Sequence, residues 1–287
     1  MKFLVGQTQQ GTTAVHVVVG DTAINVSERL PEVGDDLLQL ASQPELLARV
    51  SQAIEGQPGV AVDSIVPAMP ITRPGAIICL GLNYVDHIKE GGYEIPTYPA
   101  LFMRSRNSMM AAGAPMVRPT CSEQLDYEVE LMVIIGQGGR HIREEDALAH
   151  VFAYTVFNDG SVRNYQRKTH QWTPGKNFDD TGAIGPFSVT PDELPEGAVG
   201  LKIESRVGDE ILQSANTDDM LWSVARTIAM VSEYTTLEPG DYLAMGTPPG
   251  VGHAKTPQRW LIPGEVVEAE IEGIGNCKSP VIDERDQ

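Results

Sequence analysis

Asp126-Tyr127-Glu128-Val129-Glu130-Leu131-Met132-Val133-Ile134-Ile135-Gly136 is the stretch on which the fold turns. Its β-branched and apolar content makes it a strand. Alternate residues of a strand share a face, so Glu128 and Glu130 point the same way. Adjacent carboxylates repel unless a cation or protons neutralise them. The apolar run behind them carries them toward a core, where bare charge is costly. Two readings are open. Either the pair holds a divalent cation, or the strand is half exposed and its acids are solvated. A site of oxygen ligands suits Mg²⁺, Mn²⁺ or Ca²⁺ and not zinc.

Outward from this strand, further strand-like runs lie at 76–80, 100–103, 151–157, 200–206, 241–245 and 266–271. Helical signals are few. One covers about Glu144 to His150. A longer one starts after Thr217-Asp218-Asp219, good N-cap types, with Leu221, Val224, Ile228 and Val231 at helical spacing. Strands that do not alternate regularly with helices disfavour a doubly wound sheet or a TIM barrel. They favour an α+β body, mostly β, in layered mixed sheets with few helices. Ahead of it, 2–28 read as a small β meander and 35–54 as a helix, giving an αβ region over 1–70 before a main domain over 71–287.

The chain has 287 residues and a formal net charge of −18. That charge argues against a nucleic-acid surface, which needs Lys/Arg patches, and against docking on anionic lipid. No run approaches the roughly 20 apolar residues of a membrane span. The start Met1-Lys2-Phe3-Leu4-Val5-Gly6 reads as a strand, not a signal peptide. Cys79, Cys121 and Cys277 are odd in number and widely spaced. They suggest neither a disulfide framework nor a thiolate site, and a cytoplasmic setting is the expectation.

Three other groups can carry chemistry. His87 and Glu90, three apart on a helical turn, form either a general-base pair or a surface ion pair. Gly91-Gly92 beside them allows a lid to move. Asp159 ends the strand at 151–157, as an active-site acid or an Asx turn. Lys176 follows a Pro-Gly turn that can aim its amine inward, without the residues of a phosphate-binding loop. The glycines of Gly246-Thr247-Pro248-Pro249-Gly250-Val251-Gly252 allow close approach of a ligand, or a rigid turn.

In order along the chain, Gly81-Leu82-Asn83-Tyr84-Val85-Asp86-His87-Ile88-Lys89-Glu90, Asp126–Leu131, Asn158-Asp159-Gly160-Ser161-Val162-Arg163, Gly175-Lys176-Asn177-Phe178-Asp179 and the 246–252 loop resemble the fumarylacetoacetate hydrolase family, over about residues 74–279. The N-terminal region and Gln171-Trp172 resemble its longer bacterial members, including acylpyruvate and diketo-deoxy sugar acid hydrolases. The resemblance implies the family's layered β fold and a homodimer. It implies Glu128, Glu130 and Asp159 as ligands of Mg²⁺ or Mn²⁺, with Ca²⁺ as a further candidate, and His87 and Glu90 as a lid dyad. Lys176 would bind substrate, Gln166 would be a polar group near the metal, and Gly246 and Thr247 would hold the substrate's carboxylate or carbonyl end. Two positions depart from the family pattern. Arg104 stands where many members have lysine, and can grip a carboxylate bidentately; Asn164 stands where many have aspartate.

The activity so implied is metal-dependent hydrolysis of the C–C bond of a 2,4-dioxo acid through a pyruvate enolate. The same centre can run decarboxylation, tautomerisation or isomerisation of a 2-oxo diacid. A cation-binding scaffold with an idle site is the alternative from another class.

Overall fold

A computed structural model describes residues 1–8 and 11–287. The strand at the centre of the sequence argument, Val129–Ile135, is buried along its whole length, as is its antiparallel neighbour Val151–Asp159. Both faces of this sheet are covered, so its strands read as continuous apolar runs and not as alternating ones. Leu131, Val133 and Ile135 face one core, with Ile203, Val267 and Ile271 of a second sheet and Ile228 of the helix Val224–Tyr234. Met132 and Ile134 face the other, with Phe3, Leu40, Leu46 and Val50 of the N-terminal region.

The large sheet has twelve strands. From the N-terminal edge it runs Val60–Ala61, Thr22–Asn25, Thr13–Val19, Lys2–Gln7, Gly182–Val189, Val151–Asp159, Val129–Ile135, Tyr242–Ala244, Ile77–Gly81 and Ala100–Met103. Val66–Pro67 joins Lys2–Gln7, and Met109–Ala111 joins Gly182–Val189. Among the described residues two of its pairings are parallel, Met109–Ala111 with Gly182–Val189 and Tyr242–Ala244 with Ile77–Gly81. A five-stranded sheet, in the order Glu210–Asn216, Lys202–Val207, Val266–Ile271, Gly275–Asp283 and Met116–Arg118, packs on the large one. This is the mixed, layered α+β body expected. The N-terminal meander extends the large sheet through the pairing of Lys2–Gln7 with Gly182–Val189.

Three local expectations change. The helix expected over 35–54 is two helices, Leu38–Ser42 and Pro44–Ile54. Pro44 lacks an N–H and its ring clashes with the preceding turn, so it starts a helix and cannot continue one. Glu144–His150 winds as 3₁₀ turns. The helix expected after Thr217-Asp218-Asp219 starts later, at Val224, capped by the Ser223 hydroxyl accepting from the Arg226 N–H. The caps at 216–219 serve their own short turn instead: Asn216 accepts from the Asp218 N–H, and Asp219 from the Asn216 N–H. Asn83 then fixes the segment between, accepting from the Trp222 N–H and donating to the Trp222 and Met245 carbonyls. No helix among the described residues is long and apolar enough to cross a membrane.

Candidate active site

Glu130 pairs with Phe157 across the central two strands, and the Asp159 N–H donates to the Glu128 carbonyl at 2.8 Å. This register places Glu128, Glu130 and Asp159 on one face at the strand ends. All three are buried, and their carboxylate oxygens lie within 4.8 Å of one another. The solvated-acid reading of Glu128 and Glu130 therefore fails: they are 4% and 1% exposed.

Their charge is partly matched. Lys176, on the short helix Thr173–Lys176, donates from Nζ to Glu128 Oε2 at 2.6 Å and to Asp159 Oδ2 at 2.5 Å. Arg163 donates from Nη2 to Glu128 Oε1 at 2.6 Å and from Nε to Asp126 Oδ2 at 2.8 Å. Arg104 donates to Asp159 Oδ1. Four buried acids, Asp126, Glu128, Glu130 and Asp159, thus face three buried cations. The excess falls on Glu130, which among the described residues accepts only the Gly246 N–H, at 3.0 Å, and no cation. Burial, then Asp159 and Glu128, push its carboxyl well above the usual range. Burial pushes Glu128 the same way, but Arg163 and Lys176 outweigh it and hold it at about 2. Burial alone would lower Lys176; Asp159 and Glu128 reverse that and raise it. Three converging carboxylates with one uncompensated charge are a fit for a hard divalent cation, which takes oxygen ligands.

Above these carboxylates opens a cleft of about 210 Å³, lined by His87, Glu90, Gln166, Lys176 and Thr247 among others. His87 and Glu90 lie on the helix Val85–Glu90, with His87 Nδ1 3.3 Å from Glu90 Oε2. The Gly250 N–H donates to both Glu90 oxygens, at 3.0 and 3.1 Å, tying this helix to the 246–252 loop. Gln166 accepts from Arg163 Nη1 at 2.9 Å. Thr247 donates its hydroxyl to the Val129 carbonyl and accepts from Gln213 Nε2. The Gly246 N–H serves Glu130, and its φ of 83° and the nearness of Asn83 require glycine there.

Arg104 is placed differently from the expectation of a substrate grip. It does not line the cleft. It lies behind Asp159, donating to the Asp159 carboxylate, the Gly160 and Ser108 carbonyls, and the Ser108 and Thr181 hydroxyls. With that set of acceptors its guanidinium orients Asp159 and has no donor left for a ligand. Asn164 accepts from the Ser122 hydroxyl at 2.6 Å, away from the carboxylates.

Four further residues frame the site without an assigned role in the sequence reading: Asp126 and Arg163 stand within the quoted motifs, and His253 reads as a structural or surface group. Arg163 and Asp126 frame the triad, and Arg167 and His253 line the cleft mouth. Asp126 had a signal, being one strand period before Glu128; His253 had one in directly following the glycine loop. Asp126 accepts from the Gly252 N–H at 2.8 Å, the His253 N–H at 2.9 Å and Arg163 Nε. Asp126→Ala leaves two backbone donors unpaired and takes one of two carboxylates from Arg163, which keeps Glu128. We expect it to cost about 2–4 kcal/mol of unfolding free energy, read as a lower urea midpoint.

The chain matches the family model for the fumarylacetoacetate (FAA) hydrolase C-terminal region over residues 76–282. It is 39% identical over 267 residues to the mitochondrial oxaloacetate tautomerase FAHD2A of Homo sapiens, covering 92% of this chain and 85% of that one. Its fold superposes on the fumarylacetoacetate hydrolase of Exiguobacterium antarcticum with a TM-score of 0.84 at 32% identity, covering 99% and 100% of the two chains. On the maleylpyruvate hydrolase of Sphingobium sp. SYK-6 the TM-score is 0.83 at 25% identity, with the same coverage.

Proposed function

Since the chain belongs to the fumarylacetoacetate hydrolase family and is an enzyme of that kind, we propose that it interconverts the keto and enol forms of a small 2-oxo diacid, with oxaloacetate as the first substrate to try. The observation that carries this reading is the placing of one proton carrier, His87, in a small cleft that also exposes the Glu128–Glu130 carboxylates and Lys176. Enolisation needs no more than that: an electrophilic centre at the 2-oxo oxygen and a base at C3. Similarity to a tautomerase along nearly the whole chain supports it.

Glu128, Glu130 and Asp159 would hold a divalent ion, Mg²⁺ or Mn²⁺, which would supply Lewis acidity at the 2-oxo group. The protein's own groups do the rest. Lys176, held at Glu128 and Asp159, adds positive charge where oxygen gains negative charge. Glu90, anchored by the Gly250 N–H, fixes the His87 ring through Nδ1 and leaves Nε2 for proton transfer. His87 takes the proton from C3, whose electrons form the C2–C3 double bond, and returns a proton to the oxygen. The reverse path runs through the same atoms.

A second reading, hydrolysis of an acylpyruvate, is favoured by the same anchored dyad, because a histidine fixed by a carboxylate also activates water. The reading includes a homodimer and a reducing compartment, in keeping with three free cysteines. The test is the decay of enol-oxaloacetate absorbance in Mg²⁺ buffer. Acceleration well above the metal-only rate, abolished by EDTA, is expected. A rate equal to that of metal alone would overturn the tautomerase assignment.

A further inference from the structure

The floor of the cleft uses its cations internally; the mouth does not. Arg163 and Lys176 are tied to buried carboxylates. Arg167 also lines the cleft, is exposed, and among the described residues has no hydrogen-bond or ion-pair acceptor for its guanidinium. It follows Arg163 by one helical turn, its N–H donating to the Arg163 carbonyl at 3.1 Å. Residues four apart on a turn present their side chains from the same face, about 5–6 Å apart at Cβ. The two arginines therefore rise in sequence from floor to mouth.

His253 lines the same cleft as Arg167. Its backbone N–H is held by Asp126 at 2.9 Å, and its ring packs against Trp260 with centroids 6.0 Å apart. The Gln258 amide nitrogen lies 3.1 Å from the His253 carbonyl and 3.3 Å from Nδ1. An amide nitrogen can only donate, so Nδ1 accepts and the ring proton sits on Nε2. Burial, Arg167 and Arg163 lower the imidazole's affinity for a second proton, against the smaller opposing pull of Asp126 and Glu90. The rim thus offers a free guanidinium and a fixed N–H donor, in a chain whose net charge of −18 otherwise repels anions.

We propose that Arg167 and His253 are specificity-determining residues that bind a second carboxylate, distal to the 2-oxo head, and so select diacids over monoacids. Both are cleft-mouth groups outside the carboxylate centre. The assignment rests on the reading of this cleft as a 2-oxo acid site, and it names the feature of the substrate that the mouth recognises.

The test uses two probes that differ only by that carboxylate, malate and lactate, titrated calorimetrically into the full chain in Mg²⁺ buffer. The wild type is expected to bind malate at least about tenfold tighter than lactate. Arg167→Gln should remove about tenfold of malate affinity, His253→Asn about threefold, and neither should change lactate binding. In turnover, Arg167→Gln should raise KM for oxaloacetate about tenfold with kcat within about twofold. Equal wild-type affinity for the two acids would overturn the proposal. So would loss of lactate and malate binding together in Arg167→Gln, since that marks a structural role. Malate selectivity that depends on Arg167, in a protein that does not turn over oxaloacetate, would uphold the proposal and discard the tautomerase reading.

Discussion

Glu130→Gln is expected to lose divalent-cation affinity by about 100-fold or more, and turnover with it, while the metal-free protein becomes no less stable. The physical reason is the charge count around the site. Among the described residues Asp159 is the one carboxylate on Arg104, so deleting it strands a buried cation; deleting Glu128 takes one of two carboxylates from both Lys176 and Arg163. Glu130 holds only the Gly246 N–H, and an amide oxygen can accept that bond as well. Because burial and its acidic neighbours raise the folded-state carboxyl, the native protein binds this proton more tightly than the unfolded chain does. Native metal-free protein therefore loses stability as pH rises above the ordinary carboxylate range, until the raised folded-state value is passed. Glu130→Gln removes that loss, and a divalent cation offsets it in the wild type. Calorimetric titration with Mn²⁺ and thermal midpoints at several pH values check both halves. A variant that keeps full metal affinity would break the assignment of Glu130 as a ligand.

His87→Ala is expected to lower kcat by about 10²–10⁴-fold, the usual worth of a positioned acid–base group, with Mn²⁺ affinity within about twofold of wild type. The ring lies in the cleft but outside the group of three carboxylates. Stability should change little, since among the described residues its only side-chain bond is to Glu90, on the same helix. Glu90→Gln should lose less, because an amide can still meet the Gly250 N–H but no longer supports a charged ring. Loss of metal binding in His87→Ala would make the histidine a ligand instead of a proton carrier.

Much of this centre is legible because strand parity is local. Glu128, Glu130 and Asp159 sit at the ends of two long apolar strands, and one pairing register brings them together. His87 and Glu90 are legible for a similar reason, being one helical turn apart. What sequence hides is the direction of long side chains across the fold. Arg104 carries a good carboxylate-binding group, yet its partner is the protein's own Asp159. Arg167 and His253 are 86 residues apart in the chain and line one cleft because Asp126 draws the 252–253 backbone toward Arg163. Gly182–Val189, a central strand, is hidden by Gly185-Pro186, ordinarily a strand breaker. There the pairing register shifts between Thr155 and Phe157, so the two residues lie in an irregularity that the sheet absorbs.

The most direct test of the account is a proton NMR time course of oxaloacetate and of acetylpyruvate with the wild-type protein, each in Mg²⁺ and in EDTA. The account predicts Mg²⁺-dependent exchange between the keto and enol signals of oxaloacetate, faster than metal alone and with no new carbon skeleton. Acetate and pyruvate from acetylpyruvate, with oxaloacetate exchanging no faster than in Mg²⁺ alone, would contradict it and make the enzyme a C–C hydrolase.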